Sequence, residues 1–382
     1  MPPRDPVRRF SAGDALRGFS ALGVFGLHVS EFALGASVAI PEGQVFGALR
    51  SAYGPVGLLA LAGGLSLSIF FVLSGYLIAR PFVAAYVRDG EWPVLGAYAR
   101  NRVLRIVPAF WVAVLATLIV FGLSGSTPLV VVVTLAFGQV FVPTEPFVTH
   151  IAQGWTLGAE LAFYAFVPLV AVALGRRRSG TPRTRAWRLL ALCAATVLAS
   201  LLWRSLDPRG VVWVEVFPAV AAAFAPGVAL AVFGVAWPQL PASPRLRRLA
   251  LPIALSGVAC LFLAASAPTQ YTWWRWLVEI AGGALIVAGA WLREASGGDA
   301  WWLLRNRVSH WLGERSYSIY VLHFGVALWL VARVAVDGHP RETLLRLTPL
   351  ALLVTLVLAD LSWRFVERPF LRRKRRRAIP VA

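Results

Sequence analysis

Residues Asp14 to Ser30 read D-A-L-R-G-F-S-A-L-G-V-F-G-L-H-V-S, and this stretch decides the fold class. It is mostly apolar and, with the residues after it, long enough to cross a bilayer, yet it carries Asp14, Arg17 and His28. Ionisable groups at membrane depth are expensive and mark function by default. At about 100° per residue, Arg17 and His28 fall within roughly 20° of each other around a helix and about 16 Å apart along it. Asp14 lies within about 60° of Arg17. One stripe therefore runs from an acid and a guanidinium at the helix start to an imidazole deep inside. The competing reading is an ordinary first span, with an interfacial Arg and a His packed on a neighbour.

The apolar pattern continues along the chain. Of 382 residues, 58% are hydrophobic and 16 are Trp, with a mean hydropathy of +0.69. That composition excludes a soluble globular surface and gives an all-α polytopic membrane protein. Apolar runs at about 14–36, 56–79, 106–122, 155–174, 188–203, 212–235, 249–266, 275–292, 317–336 and 345–366 predict a bundle of about ten transmembrane helices. One further run, about 129–142, is short and bracketed by Pro128 and Pro143.

Charge placement settles how to count it. The net charge of +19 comes from Arg blocks between apolar runs, the mark of cytoplasmic loops and not of nucleic-acid binding. Ten spans put Arg4, Arg8, Arg9 and Arg17, the loops 80–105, 175–188, 238–248 and 293–315 and the Arg-rich tail on one side. Only Arg50, Arg204, Arg209, Arg275, Arg333, Arg341 and Arg346 remain for the other. Both termini are then cytoplasmic in a multi-pass inner (plasma) membrane protein. The 129–142 run becomes a re-entrant or short extra helix, permitted only where protein or water covers its backbone. Residues 1–370 form the membrane domain and 371–382 a basic cytoplasmic tail, with Pro369 ending the last helix and the arginines anchoring to anionic lipid.

Cys193 and Cys260 sit inside apolar runs, and His28, His150, His310, His323 and His339 are scattered without ligand spacing, so no metal site is expected. Ser74-Gly75, in F-F-V-L-S-G-Y-L-I, allows a close backbone approach or a substrate contact. Arg102 and Arg105, in R-N-R-V-L-R-I-V-P, share a helix face if the helix begins before Pro108. They then make a charged fork suited to phosphate, or simply a cytoplasmic helix end. Glu160, in Q-G-W-T-L-G-A-E, lies about five residues into an apolar helix and must be paired, protonated or facing water. His323, in Y-S-I-Y-V-L-H, reads first as a hydrogen-bonded packing residue.

Together these stretches resemble the membrane acyltransferase 3 family, integral-membrane O-acyltransferases of surface sugars and some antibiotics. The matching segments are D-A-L-R-G-F-S-A-L with His28, F-F-V-L-S-G-Y-L-I, R-N-R-V-L-R-I-V-P-A-F-W, W-T-L-G-A-E-L-A-F-Y, L-G-E-R-S-Y-S-I-Y-V-L-H and F-V-E-R-P-F, in order across roughly residues 11 to 370. The resemblance implies a catalytic histidine at His28, the first-helix arginine at Arg17 and an R-x-x-R pair at Arg102 and Arg105. It also implies a W-S-L-x-x-E motif at Trp155 to Glu160, with Thr156 in the Ser position. It further implies an acyl-CoA co-substrate, commonly acetyl-CoA, and no permanently bound cofactor. Many relatives carry an added soluble hydrolase-like domain. This chain ends before one, which points to a separate soluble partner or a homo-oligomer for any second step.

The expected chemistry has His28 as general base on an acceptor hydroxyl, since imidazole titrates near neutrality. Glu160 or Glu31, one turn beyond His28, would orient the ring, and Asp14 would pair with Arg17. Arg17, Arg102 and Arg105 would hold the coenzyme A phosphates and share one water-accessible tunnel with His28. The acceptor is a cell-envelope glycan, a glycolipid or a macrolide-type small molecule. The rivals from other classes are a glycan or lipid transporter and a non-catalytic envelope partner.

Overall fold

The computed structural model describes residues 10–38, 40, 44–123, 125–141, 150–176, 178–206, 216–238, 243–269 and 272–373. The readings placed on Arg4, Arg8, Arg9, Pro143, Arg177, Arg209 and the tail from Lys374 onward lie outside them. Among the described residues, ten helices are long and apolar enough to cross a membrane. They are α1 (Ala12–Gly35), α2 (Pro55–Arg88), α3 (Leu95–Phe121), α4 (Ala152–Gly175), α5 (Pro182–Leu206), α6 (Phe217–Ala236), α7 (Pro244–Ala265), α8 (Trp274–Ala295), α9 (Arg307–Val334) and α10 (Pro340–Arg372). The protein is therefore an all-α multi-pass membrane bundle, and no strand occurs among the described residues.

Several helices outrun their apolar windows. The third starts at Leu95 and the ninth at Arg307, because arginine-rich turns are good helix formers whose long side chains reach back to the interface. The second is interrupted at Ser66, which separates Pro55–Leu65 from Leu67–Arg88. The Ser66 hydroxyl turns back to Gly63 O at 2.5 Å.

The segment read as re-entrant contains an eight-residue helix, Pro128–Leu135, capped by Thr127, and a 3₁₀ turn at Gln139–Phe141. At about 1.5 Å per residue the helix is far too short to span. At the other end of the chain the expectation about Pro369 is corrected. A π-helical turn, Trp363–Glu367, leads into another helical turn, Arg368–Arg372. Pro369 sits at the start of that turn, where its missing N–H costs nothing.

α2 and α6 bury the most of their length and α5 the least. The α2–α6 contact depends on Gly75 and Gly227. A Cβ at Gly75 would overlap Phe224 O, and one at Gly227 would overlap Val72 O, so the two backbones touch only because both side chains are absent. α1 packs between α9, α10 and both halves of α2. Its start is held by Glu294 of α8, which accepts from Ser11 N at 3.0 Å, Ala12 N at 2.9 Å and Ser11 Oγ at 2.9 Å. That carboxylate satisfies donors a helix start cannot pair itself, and it fixes the helix that carries Arg17 and His28.

Candidate active site

Two cavities open along the polar stripe of α1. The larger, about 800 Å³, is lined by His28, Glu31, Trp155 and Gln153, and on its far wall by Arg204, Arg275, Trp276 and Glu279. The smaller, about 50 Å³, is lined by Arg17, Ser74, Arg105, Glu160, Tyr164 and Tyr317. Leu67, Phe71 and Tyr320 line both and form the wall where they meet. The expected single tunnel is thus two abutting chambers in this structure. The Arg17 chamber has room for only a few waters.

In the larger cavity, His28 Nδ1 lies 2.7 Å from Glu31 Oε2, three residues along the same helix. Both side chains are partly exposed, at 22% and 30%. The carboxylate draws the ring proton onto Nδ1 and leaves Nε2 as the basic nitrogen. Behind His28 lies His323, fully buried and stacked on it with ring centroids 5.4 Å apart and planes at 22°. His323 Nδ1 is 2.8 Å from Tyr320 O and 3.1 Å from Ile319 O, so it donates to its own helix, as the packing reading expected, and presents a flat face to His28. Phe324 meets His28 edge-on at 5.1 Å. The imidazole is clamped between α9 side chains and one acid.

Of the two acids expected to orient His28, Glu160 or Glu31, the structure brings Glu31 to the ring and leaves Glu160 elsewhere. Its Oε1 accepts from Ser74 Oγ and from Tyr164 OH, each at 2.6 Å, in the Arg17 chamber. Glu160 sits on α4 far from the His28 turn, whereas i,i+3 spacing delivers Glu31 directly. Ser74 therefore combines a polar contact with the close packing that Gly75 allows.

The expected Arg102–Arg105 fork also divides. Arg105 lines the chamber with Arg17, but the Arg102 guanidinium stands 5.5 Å from the centroids of both Tyr98 and Tyr164. One helical turn with a three-residue step offsets the two side chains by about 60°, enough to send Arg102 between Tyr98 of its own helix and Tyr164 of α4. Asp14 contributes its charge to the field at Arg17, together with Arg105 and Glu160. Thr156 Oγ1 pairs with Tyr320 OH at 2.9 Å and with Gln153 O at 3.0 Å, which secures the dividing wall. Trp155 faces the larger cavity and tilts against Phe71 at 6.1 Å.

Several residues of the larger cavity escaped the sequence reading. Arg275 bonds Glu279 at 2.9 Å, and Arg204 lies 4.4 Å over the Trp276 ring. Glu279 carried a usable signal, being an acid inside an apolar run four residues after an arginine. Gln139 and Gln153 carried none, because an amide near a loop is ordinary. Among the described residues, no cluster of three or more His, Cys, Asp or Glu has the arrangement of a metal site.

The family model described as "Acyltransferase domain" matches residues 11–364. YrhL of Bacillus subtilis (strain 168), provisionally named a peptidoglycan O-acetyltransferase, is 27% identical over 342 residues, covering 81% of this chain and 51% of its own length. The acyltransferase MdmB of Streptomyces mycarofaciens is 28% identical over 352 residues, covering 85% of this chain and 80% of its own. The chain thus spans about half of the Bacillus relative. No solved structure matches it.

Proposed function

Because the chain belongs to the acyltransferase domain family, we propose that it is a membrane O-acyltransferase in which His28, set by Glu31, activates an acceptor hydroxyl toward an acyl-CoA thioester. The observation that carries this reading is the 2.7 Å contact between His28 Nδ1 and Glu31 Oε2 at the wall of an 800 Å³ cavity. Nε2 takes the proton of the acceptor O–H as its oxygen attacks the thioester carbonyl. The tetrahedral oxyanion collapses, the C–S bond breaks, and the thiolate leaves as the thiol with the proton returned by the imidazolium. Glu31 offsets the imidazolium charge between those transfers.

The donor enters from the arginine-rich side, which the positive-inside rule makes cytoplasmic. Arg17 and Arg105 meet its phosphates, and Ser74 and Glu160 fix the chamber floor. Arg102 supports Tyr164 from behind. Filling the chamber requires the Leu67–Phe71–Tyr320 wall to part, so that the acyl end reaches His28. The name of the Bacillus relative supports a cell-envelope glycan as acceptor.

The test uses purified protein in lipid nanodiscs with acetyl-CoA and a hydroxyl acceptor, scoring both free thiol and acylated product. His28→Ala is expected to lower the rate by roughly 10²- to 10⁴-fold. Arg105→Ala is expected to raise the donor KM more than Arg102→Ala does. A folded His28→Ala protein that acylates at the wild-type rate rejects the assignment, and substrate movement without thiol release would favour a transporter.

A further inference from the structure

A third cavity shares no lining residue with the two chambers. It lies between α4 and α5, which each pack on α2 and α6 and barely on each other. Val170 and Leu174 of α4 and Leu192 and Thr196 of α5 line it, with Phe82 and Phe224 from the two helices behind. The lining side chains are aliphatic or aromatic apart from Cys193 and Thr196, and the Thr196 hydroxyl donates to Leu192 O at 2.9 Å. Phe166, also in the lining, is 37% exposed, so the cleft opens sideways from the bundle and, in a bilayer, onto hydrocarbon.

Its shape limits what can enter. The volume is about 80 Å³, and along α4 the lining runs from Phe163 to Leu174, roughly 16 Å at about 1.5 Å per residue. A slot that narrow over that length accepts one hydrocarbon chain. A partner helix, roughly 10–12 Å across with its side chains, is too wide for it. Water finds no hydrogen-bonding partners along such a lining.

The two ends of the slot differ. At one, Phe217 meets Phe166 at 5.4 Å and Phe163 at 6.4 Å, and the rings close it. At the other, Tyr86 and Trp92 line the mouth and basic groups gather. The Arg178 guanidinium lies 5.4 Å from the Trp92 ring centroid. Arg185 donates to Tyr86 O at 2.8 Å and to both carboxylate oxygens of Asp89. Asp89 also pairs with Arg178 at 3.1 Å, so one carboxylate answers two guanidiniums. Arg188, which is exposed, lies one turn before Leu192 on α5. The mouth therefore carries surplus positive charge directly beside an apolar slot.

We propose that this cleft holds one acyl chain of an anionic phospholipid, with the phosphate at the mouth flanked by Arg178 and Arg188. An aromatic ring and arginines at such a mouth belong at headgroup depth. The surplus charge selects an anionic headgroup over the zwitterionic ones whose chains would fit equally well. The inference is independent of the acyl-transfer reading, because no residue of either chamber takes part.

The test is photo-cross-linking on the full chain in phosphatidylcholine nanodiscs. Each sample contains a trace of phosphatidylglycerol or of phosphatidylcholine bearing the same diazirine-labelled chain, and adducts are located by peptide mass spectrometry. Adducts are expected on Val170, Leu192 and Thr196. The phosphatidylglycerol probe should give roughly fivefold more of them, the factor corresponding to about 1 kcal/mol for one surplus arginine. Thr196→Trp fills the slot and is expected to abolish the adducts on Val170 while leaving those on Leu353, an exposed residue of α10, at the wild-type level. If that variant does not fold, Val170→Trp read at Leu192 gives the same comparison. Arg178→Gln combined with Arg188→Gln is expected to remove the headgroup preference and to keep the adducts from the phosphatidylcholine probe. Cleft adducts no more frequent than those on Leu353, equal yields from the two probes in the wild type, adducts that survive filling of the slot, or a preference that survives the paired glutamines overturns the proposal.

Discussion

Replacing Glu31 by Gln tests the proposed mechanism at its most sensitive contact. The carboxylate and the imidazole are 2.7 Å apart. As the acceptor loses its proton the ring becomes a cation, and at that separation Coulomb's law gives about 1.5 kcal/mol at the dielectric of water and about 6 kcal/mol at an effective value near 20. The two side chains are 22% and 30% exposed, so solvent screening keeps the effect toward the lower end, about 2–3 kcal/mol. That corresponds to a roughly 30- to 150-fold fall in kcat. Glutamine does a second harm that alanine does not. Its amide N–H can face Nδ1, which moves the ring proton to Nε2 and removes the base. Glu31→Gln is therefore expected to be at least as slow as Glu31→Ala, with the donor KM changed by less than about twofold. The assay is steady-state thiol release with mass detection of the acylated acceptor, on protein of native melting temperature. A Gln variant turning over at the wild-type rate would show that this acid neither orients nor compensates the imidazole.

His323→Ala opens a cavity behind His28 and is expected to cost about 2–4 kcal/mol, while His323→Phe keeps the stacked face and recovers most of it; thermal unfolding in detergent decides, and equal losses would assign the stability to the Nδ1 hydrogen bonds instead. Gly227→Ala forces the α2 and α6 backbones apart at Val72 O and is expected to cost about 1–3 kcal/mol or more, whereas Gly26→Ala, with nothing within 4 Å, should leave the melting temperature level or slightly higher. Asp89, in the loop after α2, is held below the ordinary carboxylate range by its hydrogen bonds from Arg185. Its contribution is complete above the unfolded-state value of about 3.9 and is lost as pH falls through the lower folded-state value, so Asp89→Asn should flatten the acid limb of the stability curve, and an unchanged limb would refute the linkage. Tyr320→Ala thins the wall between the chambers and is expected to raise thiol release in the absence of acceptor several-fold over wild type; no rise would mean that the wall does not control access to the thioester.

What could be read from the sequence follows from the range of the interactions involved. Hydropathy is a local property summed over a helix length, so the ten spans were visible in composition and charge placement alone. Glu31 was visible for the same reason, being one turn from His28. The stacking partner His323 lies 295 residues away, and its position was marked only as an intramembrane histidine; nothing local encodes that α1 and α9 meet there. Glu160 misled because depth in the membrane was legible and azimuth was not. It is partly buried and hydrogen-bonded, but to Ser74 and Tyr164. The division of Arg102 from Arg105 turned in part on Tyr164 of another helix, which no local pattern reports.

The two chambers resolve a physical difficulty in the first helix. A guanidinium and an imidazole–carboxylate pair about 16 Å apart on one apolar helix both need polar surroundings, and a continuous polar channel would supply them at the expense of the membrane seal. The wall of Leu67, Phe71 and Tyr320 supplies them separately. Arg17 shares one chamber with Glu160 and Tyr164, and His28 is met by Glu31 in the other. Apolar surface from α2 and a tyrosine tied to Thr156 stand between them. In the proposed reaction that separation also protects the thioester, because a donor resting on the arginines meets neither the base nor the water of the larger cavity until the wall parts. Tyr320 suits this task because its hydroxyl is satisfied when the wall is closed, through Thr156 and Gln153 O, and opening must break those bonds.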